Sequence, residues 1–437
     1  MKKLLFIGVS AATAQAVRYA HEIGAYTIVT DYLPIDESPV KKLADEAWRI
    51  DIFDIDTLEK NIREEGVTGV FAAANDNCLN TARVLAERCG MPFYASPDAW
   101  RAGRDKVFFK EKCRSAGVPV PALYPYAEGD VLPDEAFPVI VKPTDGVANR
   151  GVRVCFDNDE LTYAYVAAKD VSEKGEVLVE QYLTGPMKQL VYLLRDGEPV
   201  FQFGFEVVVL DRDEDGKIGF SDVDVFDVST AESRKRGGFA QTGKMPIIIV
   251  KPNLEKELHV DHEAIRRMAE SLHATDGVMG LQGIVHDGEF RIFEMNYRLD
   301  GCMCWKVAAN VGGLDQVKVM VNHALGIPTS AEECERSMDP DQVACMYGQN
   351  IGNGIIASIE GLDAIERMEG ISLLFTHHHI GDALHFESNT MDNFFQLGFA
   401  VYAHTPAELL DKLERIQALS SVKDTEGHEM LIPRPLV

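Results

Sequence analysis

Apolar and polar residues follow different periodicities along the chain, and the changes between them divide the sequence. An apolar run over residues 4–9 breaks at a glycine, and apolar residues then recur at helical spacing up to Ile23. Gly24 closes that helix, and residues 26–30 form a second apolar run. Further units follow, with predicted helices over residues 56–65 and 78–89 and predicted strands over residues 69–74 and 92–94. The pattern predicts an N-terminal parallel α/β domain over residues 1–100.

After a broken helical segment over residues 96–116, strands and hairpins replace the strand–helix units. The strands predicted in this part are residues 138–141, 151–155, 177–181, 190–195, 200–210, 282–286 and 289–296. Asp-Gly pairs at residues 196–197 and 287–288 predict tight hairpin turns. The acidic loop 211–219 is interpreted as a solvated hairpin tip rather than a calcium loop, because Asp222 stands at the twelfth position instead of glutamate.

The last hundred residues predict a further unit with a small sheet and one amphipathic helix over residues 406–419. Its predicted strands are residues 352–359, 372–375, 382–386 and 400–404. The fold class predicted for the whole chain is α/β and α+β. Its predicted domains are residues 1–100, 101–328 and 329–437, with the central one divided into roughly 101–185 and 186–328.

Composition restricts the function classes. The 437 residues carry 43 Lys plus Arg against 69 Asp plus Glu, a net charge of −26, which disfavours nucleic acid and anionic membranes as partners. Eight thinly spread cysteines are typical of a reducing compartment, and no run of about 18 apolar residues predicts a membrane span. We therefore expect a cytoplasmic protein that captures anionic ligands with specific lysines, arginines or metal ions.

Two lysine-containing segments are candidates for phosphate binding. Lys106 and Lys110 lie on the helix after the first domain, and Lys142 ends a strand that continues into a loop bounded by Gly146 and Gly151. Backbone N–H groups of such a loop form an anion-binding concavity, and the lysine adds a compact positive charge. The spacing is not that of a Walker A loop, and each segment taken alone also suits a solvated helix face or an ordinary hairpin.

A third segment is a candidate metal site. The period of two along a strand places Glu294, Asn296 and Arg298 on one face, and the tight turn places Gln282, on the preceding strand, opposite the neighbourhood of Glu294. One carboxylate and two amide oxygens suit Mg²⁺ shared with substrate phosphates. The alternative is a polar outward face of the hairpin, although Ile284 and the neighbouring apolar residues of the second strand indicate burial.

Several other features remain open from the residues alone. The basic, glycine-rich segment 232–244 suits either a second anionic substrate or a solvated loop. A structural role suits Cys302 and Cys304 better than metal binding does. The same holds for His377 and the two histidines after it. The first strand-to-helix turn has one glycine, Gly8, where a dinucleotide fingerprint needs three.

Four parts of the chain, in their order and spacing, resemble the ATP-grasp superfamily. They are Lys106, Lys142 with its glycine loop, the run Val-Leu-Val-Glu-Gln-Tyr-Leu ending at Leu183, and Glu294-Met-Asn-Tyr-Arg298. The likeness covers about residues 1–325 and is strongest for carbamoyl-phosphate-synthase-like and biotin-carboxylase-like members. It implies an ATP-grasp fold with a preceding parallel α/β domain. The chain departs from the pattern of the superfamily at Met187 and Lys188. It also departs at Tyr297, which stands in place of a common proline.

The resemblance also implies a role for each site residue. Lys106 and Lys142 would bind the α and β phosphates of ATP, and the loop 144–151, with Gly146, Asn149 and Gly151, would close over the triphosphate. Adenine and ribose would be met by Glu180, Tyr182 and Leu183. One or two Mg²⁺ ions, with Mn²⁺ as an alternative, would be held by Gln282, Glu294 and Asn296. The catalytic residues would be Lys142 and Arg298, the latter meeting an acyl phosphate.

The activity implied is an ADP-forming ligase that activates a carboxylate as an acyl phosphate and couples it to an amine, of the amino acid or peptide ligase type. The expected partners are small-molecule carboxylates and amines, with a homodimer as an open alternative to a monomer. Two other functions remain: synthesis of carboxyphosphate or carbamoyl phosphate, and a regulatory module that binds ATP without turnover.

Overall fold

The computed structural model describes residues 1–144, 151–223, 244–386 and 396–437. The N-terminal unit is a parallel sheet in the order β3-β2-β1-β4, flanked by helices. Its elements are β1 (Lys3–Ile7), α1 (Ala11–Glu22), β2 (Tyr26–Asp31), β3 (Glu46–Arg49), α2 (Ile55–Glu65), β4 (Gly69–Phe71) and α3 (Asp76–Cys89). Ser10 and Asn75 begin α1 and α3 by accepting backbone N–H groups on their side chains, which satisfies donors that a helix N-terminus leaves unpaired. The predicted parallel α/β architecture is confirmed.

One strand predicted in this unit is wrong, and one was missed. Residues 92–94 form no strand, because Tyr94 is buried and donates its hydroxyl hydrogen to the Tyr297 carbonyl at 2.9 Å. Its ring lies 5.7 Å from the Tyr297 ring, centroid to centroid. Side-chain packing against the central part of the chain therefore replaces backbone pairing here. β3 was not predicted, since its sequence, Glu-Ala-Trp-Arg, shows no apolar run.

Two helices lead into the central part of the chain, α4 (Pro97–Ala102) and α5 (Lys106–Ala116). A small antiparallel sheet follows in the order β6-β5-β7, with one helix against it. Its elements are β5 (Val139–Pro143), β6 (Arg153–Cys155), α6 (Asn158–Val171) and β7 (Val177–Gln181). Apolar residues of this unit form a core of their own, which includes Val139, Leu161 and Val179.

A large sheet begins next, with two helices between its fourth and fifth strands. These elements are β8 (Met187–Arg195), β9 (Glu198–Arg212), β10 (Ile218–Asp222), β11 (Ile247–Lys251), α7 (Leu254–Glu257), α8 (His262–Ser271), β12 (Gly277–His286) and β13 (Glu289–Asn296). Both Asp-Gly turns are confirmed, since Asp196 and Asp287 have φ of 51° and each following glycine also has positive φ. The acidic loop is the tip of the β9–β10 hairpin, as predicted.

The C-terminal part adds strands to the same sheet. Its elements are α9 (Cys304–Asn310), α10 (Gln316–Ala324), α11 (Ala331–Cys334), β14 (Val343–Gln349), β15 (Gly354–Glu360), α12 (Leu362–Glu366), β16 (Ile371–Thr376), β17 (Ala383–Leu384), β18 (Leu397–Ala403), α13 (Pro406–Leu419) and β19 (Ser421–Asp424). Across the described residues the strand order is β13-β12-β8-β9-β11-β14-β18-β16, with β10 paired to β9.

The prediction that the C-terminal strands form one small sheet is therefore wrong in part. β16 and β18 join the large sheet, because the unpredicted strand β14 pairs with β11 on one side and with β18 on the other. β15, β17 and β19 form a separate small sheet. The domain boundary near residue 328 stays a prediction. No helix in the described ranges is long and apolar enough to cross a membrane.

Candidate functional site

The first candidate phosphate ligand, Lys106, is the first residue of α5. Asp105 begins this helix by accepting the Phe108 N–H at 3.0 Å, which fixes the direction in which the chain enters the helix. The Lys106 ammonium lies 3.7 Å from Oε1 of Glu294, and both side chains are largely covered, with 16% and 34% exposed. A predicted phosphate ligand and a predicted metal ligand, far apart in the sequence, are thus brought together.

Glu180 lies between two lysines. Its Oε2 accepts from the ammonium of Lys110, and its Oε1 contacts the ammonium of Lys142. The side chains of Lys110 and Glu180 are 0% and 1% exposed. Burial alone would raise the pKa of Glu180, but the charges of Lys110 and Lys142 outweigh it and hold that pKa below its usual value. Glu180 is therefore ionised at neutral pH.

Lys110 has a perturbed pKa as well. Burial lowers the pKa of Lys110 to about 8, because removing the ammonium from water disfavours its charged form. The negative charge of Glu180 opposes this shift, whereas the neighbouring charges of Lys142 and Lys106 add to it. Lys110 is mostly protonated at pH 7 and loses its proton as the pH rises through about 8.

The three predicted metal ligands lie on the β12–β13 hairpin. Gln282 pairs directly with Glu294, and Asn296 pairs with Gly280. A Cβ at Gly280 would be 2.6 Å from Nε2 of Gln189, so a larger residue would disturb the strand next to these side chains. The oxygen-only set, with a single carboxylate, fits Mg²⁺ that also takes oxygens from substrate phosphates. The described residues contain no group of three His, Cys, Asp or Glu that could hold a metal without such help.

Lys142 also links the small sheet to this hairpin. Its ammonium lies 5.3 Å from the centre of the Phe293 ring, next to Glu294 on β13. Lys142 therefore reaches from the end of β5 to the strand that carries Glu294. The two segments singled out from the sequence face each other across the space between the sheets.

The predicted adenine-binding residues lie where the small sheet joins the large one. Tyr182 and Leu183 are buried, and the Tyr182 N–H donates to the Pro138 carbonyl at 3.2 Å. Gly185 follows with φ of 130°, and a Cβ there would be 2.2 Å from the Val285 carbonyl oxygen. This connection is thus pressed against β12 at a position that admits only glycine.

The phosphate loop is described only at its ends. Gly151 has φ of 74°, and a Cβ there would be 2.9 Å from Cγ of Pro143, so the returning chain passes close to the end of β5. Gly146 and Asn149, together with most of the basic segment 232–244, lie outside the described residues.

Arg298 contacts the N-terminal unit that contains the parallel sheet. Its Nε lies 3.1 Å from Oδ1 of Asp76, the first residue of α3, and its Nη1 donates to the Leu299 carbonyl at 3.0 Å. Asp300, two residues on, accepts the backbone N–H groups of Cys304 and Trp305 at 3.0 and 3.3 Å. Arg298 thus lies between β13, which carries two of the predicted metal ligands, and the carboxyl edge of the parallel sheet.

The thiols near Arg298 suit a structural role. Burial raises the pKa of Cys302 to about 12 and that of Cys304 well above its ordinary value. Because the thiolate is the reactive and metal-binding form, neither group is activated for redox or metal chemistry at neutral pH.

Three charged groups were not assigned roles from the sequence. Lys110 was noted but not assigned, although it shares the buried face of α5 with Phe109 and Cys113, and that position is an informative signal. No motif around Asp76 indicated a function for it. Lys188 forms a second buried cluster with Glu206, whose Oε1 lies 2.8 Å from Nζ of Lys251. Burial would raise the pKa of Glu206, but the two lysines lower it.

Comparison with known proteins identifies the fold. Residues 105–213 match the family model described as carbamoyl-phosphate synthase L chain, ATP binding domain. The 2-oxoglutarate carboxylase small subunit of Hydrogenobacter thermophilus is 28% identical over 210 residues, which are 42% of this chain and 43% of that protein. The carbamoyl phosphate synthase large chain of Streptomyces coelicolor is 31% identical over 114 residues, 25% of this chain and 10% of that protein. The chain thus spans less than half the length of these curated relatives.

Solved structures resemble nearly the whole chain. The biotin carboxylase domain of the H. thermophilus 2-oxoglutarate carboxylase, in complex with MgADP, ADP and bicarbonate, has a TM-score of 0.71 at 18% identity, covering 97% of this chain and 90% of that one. L-amino acid ligase from Bacillus licheniformis has a TM-score of 0.71 at 17% identity, covering 97% and 99%. Phosphoribosylglycinamide synthetase from Anaerococcus prevotii has a TM-score of 0.68 at 15% identity, covering 97% of this chain and 100% of that one. The resemblance seen in the sequence is confirmed: the chain has the ATP-grasp fold, and its residues 105–213 match the ATP-binding domain of the carbamoyl-phosphate synthase L chain.

Proposed function

We propose that this protein is an ATP-dependent, ADP-forming ligase that activates a carboxylate as an acyl phosphate and couples it to an amine. The observation that carries the proposal is the convergence of Lys106, Lys142 and Glu294. Lys106 lies 3.7 Å from Glu294, and Lys142 lies over Phe293 next to it. Two ammonium groups beside a carboxylate on an oxygen-rich hairpin suit a metal-bound triphosphate.

In this proposal the lysines bind the nucleotide. Lys106 and Lys142 would contact the α and β phosphates, and residues 144–151 would close over them with backbone N–H groups from Gly146, Asn149 and Gly151. Adenine and ribose would lie against Tyr182 and Leu183, with Glu180 behind them. The Glu180 carboxylate is bound by two lysines and its backbone pairs with Ile140 on β5, so Glu180 would contribute to this pocket by holding those lysines.

Gln282, Glu294 and Asn296 would hold one or two Mg²⁺ ions, with Mn²⁺ as an alternative. When bound, the metal would neutralise charge on the phosphates, which is its usual contribution to phosphoryl transfer. The 3.7 Å contact between Lys106 and Glu294 supports this arrangement, since it places a predicted phosphate ligand beside a predicted metal ligand.

The chemical steps would take place near Arg298. A substrate carboxylate oxygen attacks the γ-phosphorus, the bond to the β–γ bridging oxygen breaks, and ADP leaves with that electron pair. The amine then attacks the acyl carbon, phosphate leaves, and the amine nitrogen loses a proton. The Arg298 guanidinium would stabilise negative charge on the acyl phosphate, and Asp76 would orient the guanidinium through the contact at 3.1 Å.

One observation favours a second candidate, carboxyphosphate synthesis from bicarbonate. A structural neighbour that covers 97% of the chain is a biotin carboxylase domain whose structure contains bicarbonate. The same residues would then act on bicarbonate instead of an organic carboxylate. Carbamoyl phosphate synthesis is a related activity, and a regulatory protein that binds ATP without turnover is the non-enzymatic alternative.

The test is ADP and phosphate release from Mg·ATP with a matrix of amino acids, small carboxylates and bicarbonate, each with and without amines. The proposal predicts ADP formation that depends on one carboxylate–amine pair. Formation of AMP would contradict the acyl phosphate, and release with bicarbonate alone would favour the second candidate. Nucleotide binding without turnover of any pair would favour the regulatory alternative.

A pair of variants on β13 makes the test specific. Glu294→Gln should reduce turnover by at least about 100-fold, because a metal ligand loses its charge. The matched control is Glu289→Gln on the same strand, where the carboxylate is half exposed and pairs with Arg291. The control should retain activity within about twofold.

A further inference from the structure

The cluster formed by Lys110, Glu180 and Lys142 has an unusual charge balance for a buried site. Two ammonium groups share one carboxylate, so the cluster carries one net positive charge. Lys110 is inaccessible to solvent, whereas Lys142 lies at the end of β5 and reaches toward Phe293. Glu180 could be neutralised by Lys142 alone, so the second lysine needs a separate explanation.

That explanation follows from what Lys142 would do when a phosphate arrives. If Lys142 turned to a phosphate without Lys110 present, Glu180 would be left as an unpaired buried carboxylate, which is costly. Its negative charge would also repel the phosphate. With Lys110 present, Glu180 keeps a partner that cannot leave, because that partner is fully enclosed.

We propose that Lys110 is a positioning residue that neutralises Glu180 and so leaves the charge of Lys142 available to the nucleotide phosphates. This inference rests on the proposed nucleotide site. It gives Lys110 a role in nucleotide affinity without any contact to the nucleotide.

The surroundings of Lys110 agree with this role. The charged groups that face it are Lys106 on its own helix, Lys142 on β5 and Glu180 on β7. From α8, Met268 packs against Cys113, one turn along α5, through a contact of 3.4 Å between the two sulfurs. The pKa of Lys110, lowered by burial to about 8, indicates that the compensating charge is present at pH 7 and lost above pH 8.

The test is the affinity for MgADP, measured by calorimetry on the full chain. Lys110→Met should weaken binding about 10- to 100-fold, because the remaining Glu180–Lys142 pair has no net charge. The double variant Lys110→Met/Glu180→Gln restores the single positive charge on Lys142, and its affinity should return to within about threefold of the wild type. Lys112→Met, which removes a charge from the same helix outside the cluster, should leave affinity unchanged.

Three outcomes of this measurement would overturn the inference. Wild-type affinity in Lys110→Met would overturn the inference. Equally weak binding by the single and double variants, both folded by circular dichroism, would also overturn it, since a purely structural role predicts no rescue. Failure of the wild-type protein to bind MgADP would overturn the proposed function and this inference with it.

A measurement on the wild-type protein covers the case in which Lys110→Met does not fold. Between pH 7 and 9 its dissociation constant for MgADP should rise as Lys110 loses its proton around pH 8. The double variant, which has no lysine at this position, should lack that rise. A wild-type affinity that does not change over this range would contradict the proposal.

Discussion

Arg298 and Asp76 form an ion pair that joins two parts of the chain, with Nε of the arginine 3.1 Å from Oδ1 of the aspartate. Asp76 begins α3, at the carboxyl edge of the N-terminal sheet, between β1 and β4, where the order of the strands reverses. Ligands of open parallel sheets bind at such reversals. In the proposed ligase, a substrate bound at this edge of the N-terminal sheet would meet the phosphoryl group beside the pair.

We expect Arg298→Met to lower kcat about 100- to 1000-fold, the usual cost of removing a group that stabilises charge in the transition state. MgADP affinity should stay within about twofold. Asp76→Asn should lower kcat/KM about tenfold, because the guanidinium would remain but lose its orientation. Asp56→Asn is the control, since Asp56 forms an exposed pair with Arg88 in the same domain.

The double variant of Arg298 and Asp76 tests whether the two residues act together. If Asp76 acts through Arg298, the double variant should be no slower than Arg298→Met alone. Losses that multiply would show that Asp76 has an independent role. Steady-state kinetics with a substrate found in the matrix assay provide the measurement.

The predicted metal ligands give a second prediction, which a titration of activity with Mg²⁺ can check. Turnover should stop in excess EDTA and return with Mg²⁺. Gln282→Glu adds a carboxylate opposite Glu294 and should lower the Mg²⁺ concentration for half-maximal activity about tenfold. Asn296→Ala removes an oxygen and should raise it by a similar factor. An unchanged Mg²⁺ dependence in both variants would exclude these residues as ligands.

The sequence was informative about the site wherever function depends on local pattern. The Asp287-Gly288 turn and the period of two placed Gln282 opposite the neighbourhood of Glu294. A regular hairpin would pair Gln282 with Phe293, and the register shift between Gln282 and Gly283 moves the pairing to Glu294. The fold class followed from the same kind of pattern in the N-terminal residues. These features depend on residues close to each other in the chain.

Features that depend on distant residues were not predicted. The contact of Lys110 with Glu180 brings a side chain of α5 to a side chain of β7, and no spacing in the sequence encodes that approach. The pairing of β11 with β14 likewise joins segments separated by several helices, so the C-terminal strands were assigned to a separate sheet. The sequence feature that could have indicated the contact with Glu180 is Lys110 itself, a charged residue on the apolar face of α5.

The connection between the two sheets gives a third prediction. Gly185→Ala should displace the chain next to Leu183, because the new Cβ would meet the Val285 carbonyl and φ is 130°. We expect at least about tenfold weaker MgADP binding and a lower unfolding temperature. Gly219→Ala on β10 is the control, because nothing lies within 4 Å of its Cβ position and its φ is not positive. Equal behaviour of the two variants would contradict the prediction.

A buried ion pair in the N-terminal unit, away from the site, gives a prediction about stability. Lys41 is 1% exposed, pairs with the Asp31 carboxylate and donates to the Asp31 carbonyl at 2.9 Å. The other carboxylate oxygen, Oδ2, is buried and accepts no hydrogen bond from the described residues. Removing the lysine would therefore leave a buried charge without its partner.

We expect Lys41→Met to lower the free energy of unfolding by about 3–5 kcal/mol, the usual cost of breaking one side of a buried pair. Lys42→Met is the matched control, since Lys42 is exposed and donates to the Asp36 carbonyl at 2.8 Å, and it should change stability by less than about 0.5 kcal/mol. Urea denaturation followed by circular dichroism measures both. Lys41→Met/Asp31→Leu should recover much of the loss, because an apolar pair leaves no buried charge. A double variant as unstable as Lys41→Met would show that the loss comes from packing around Lys41 rather than from the unpaired carboxylate.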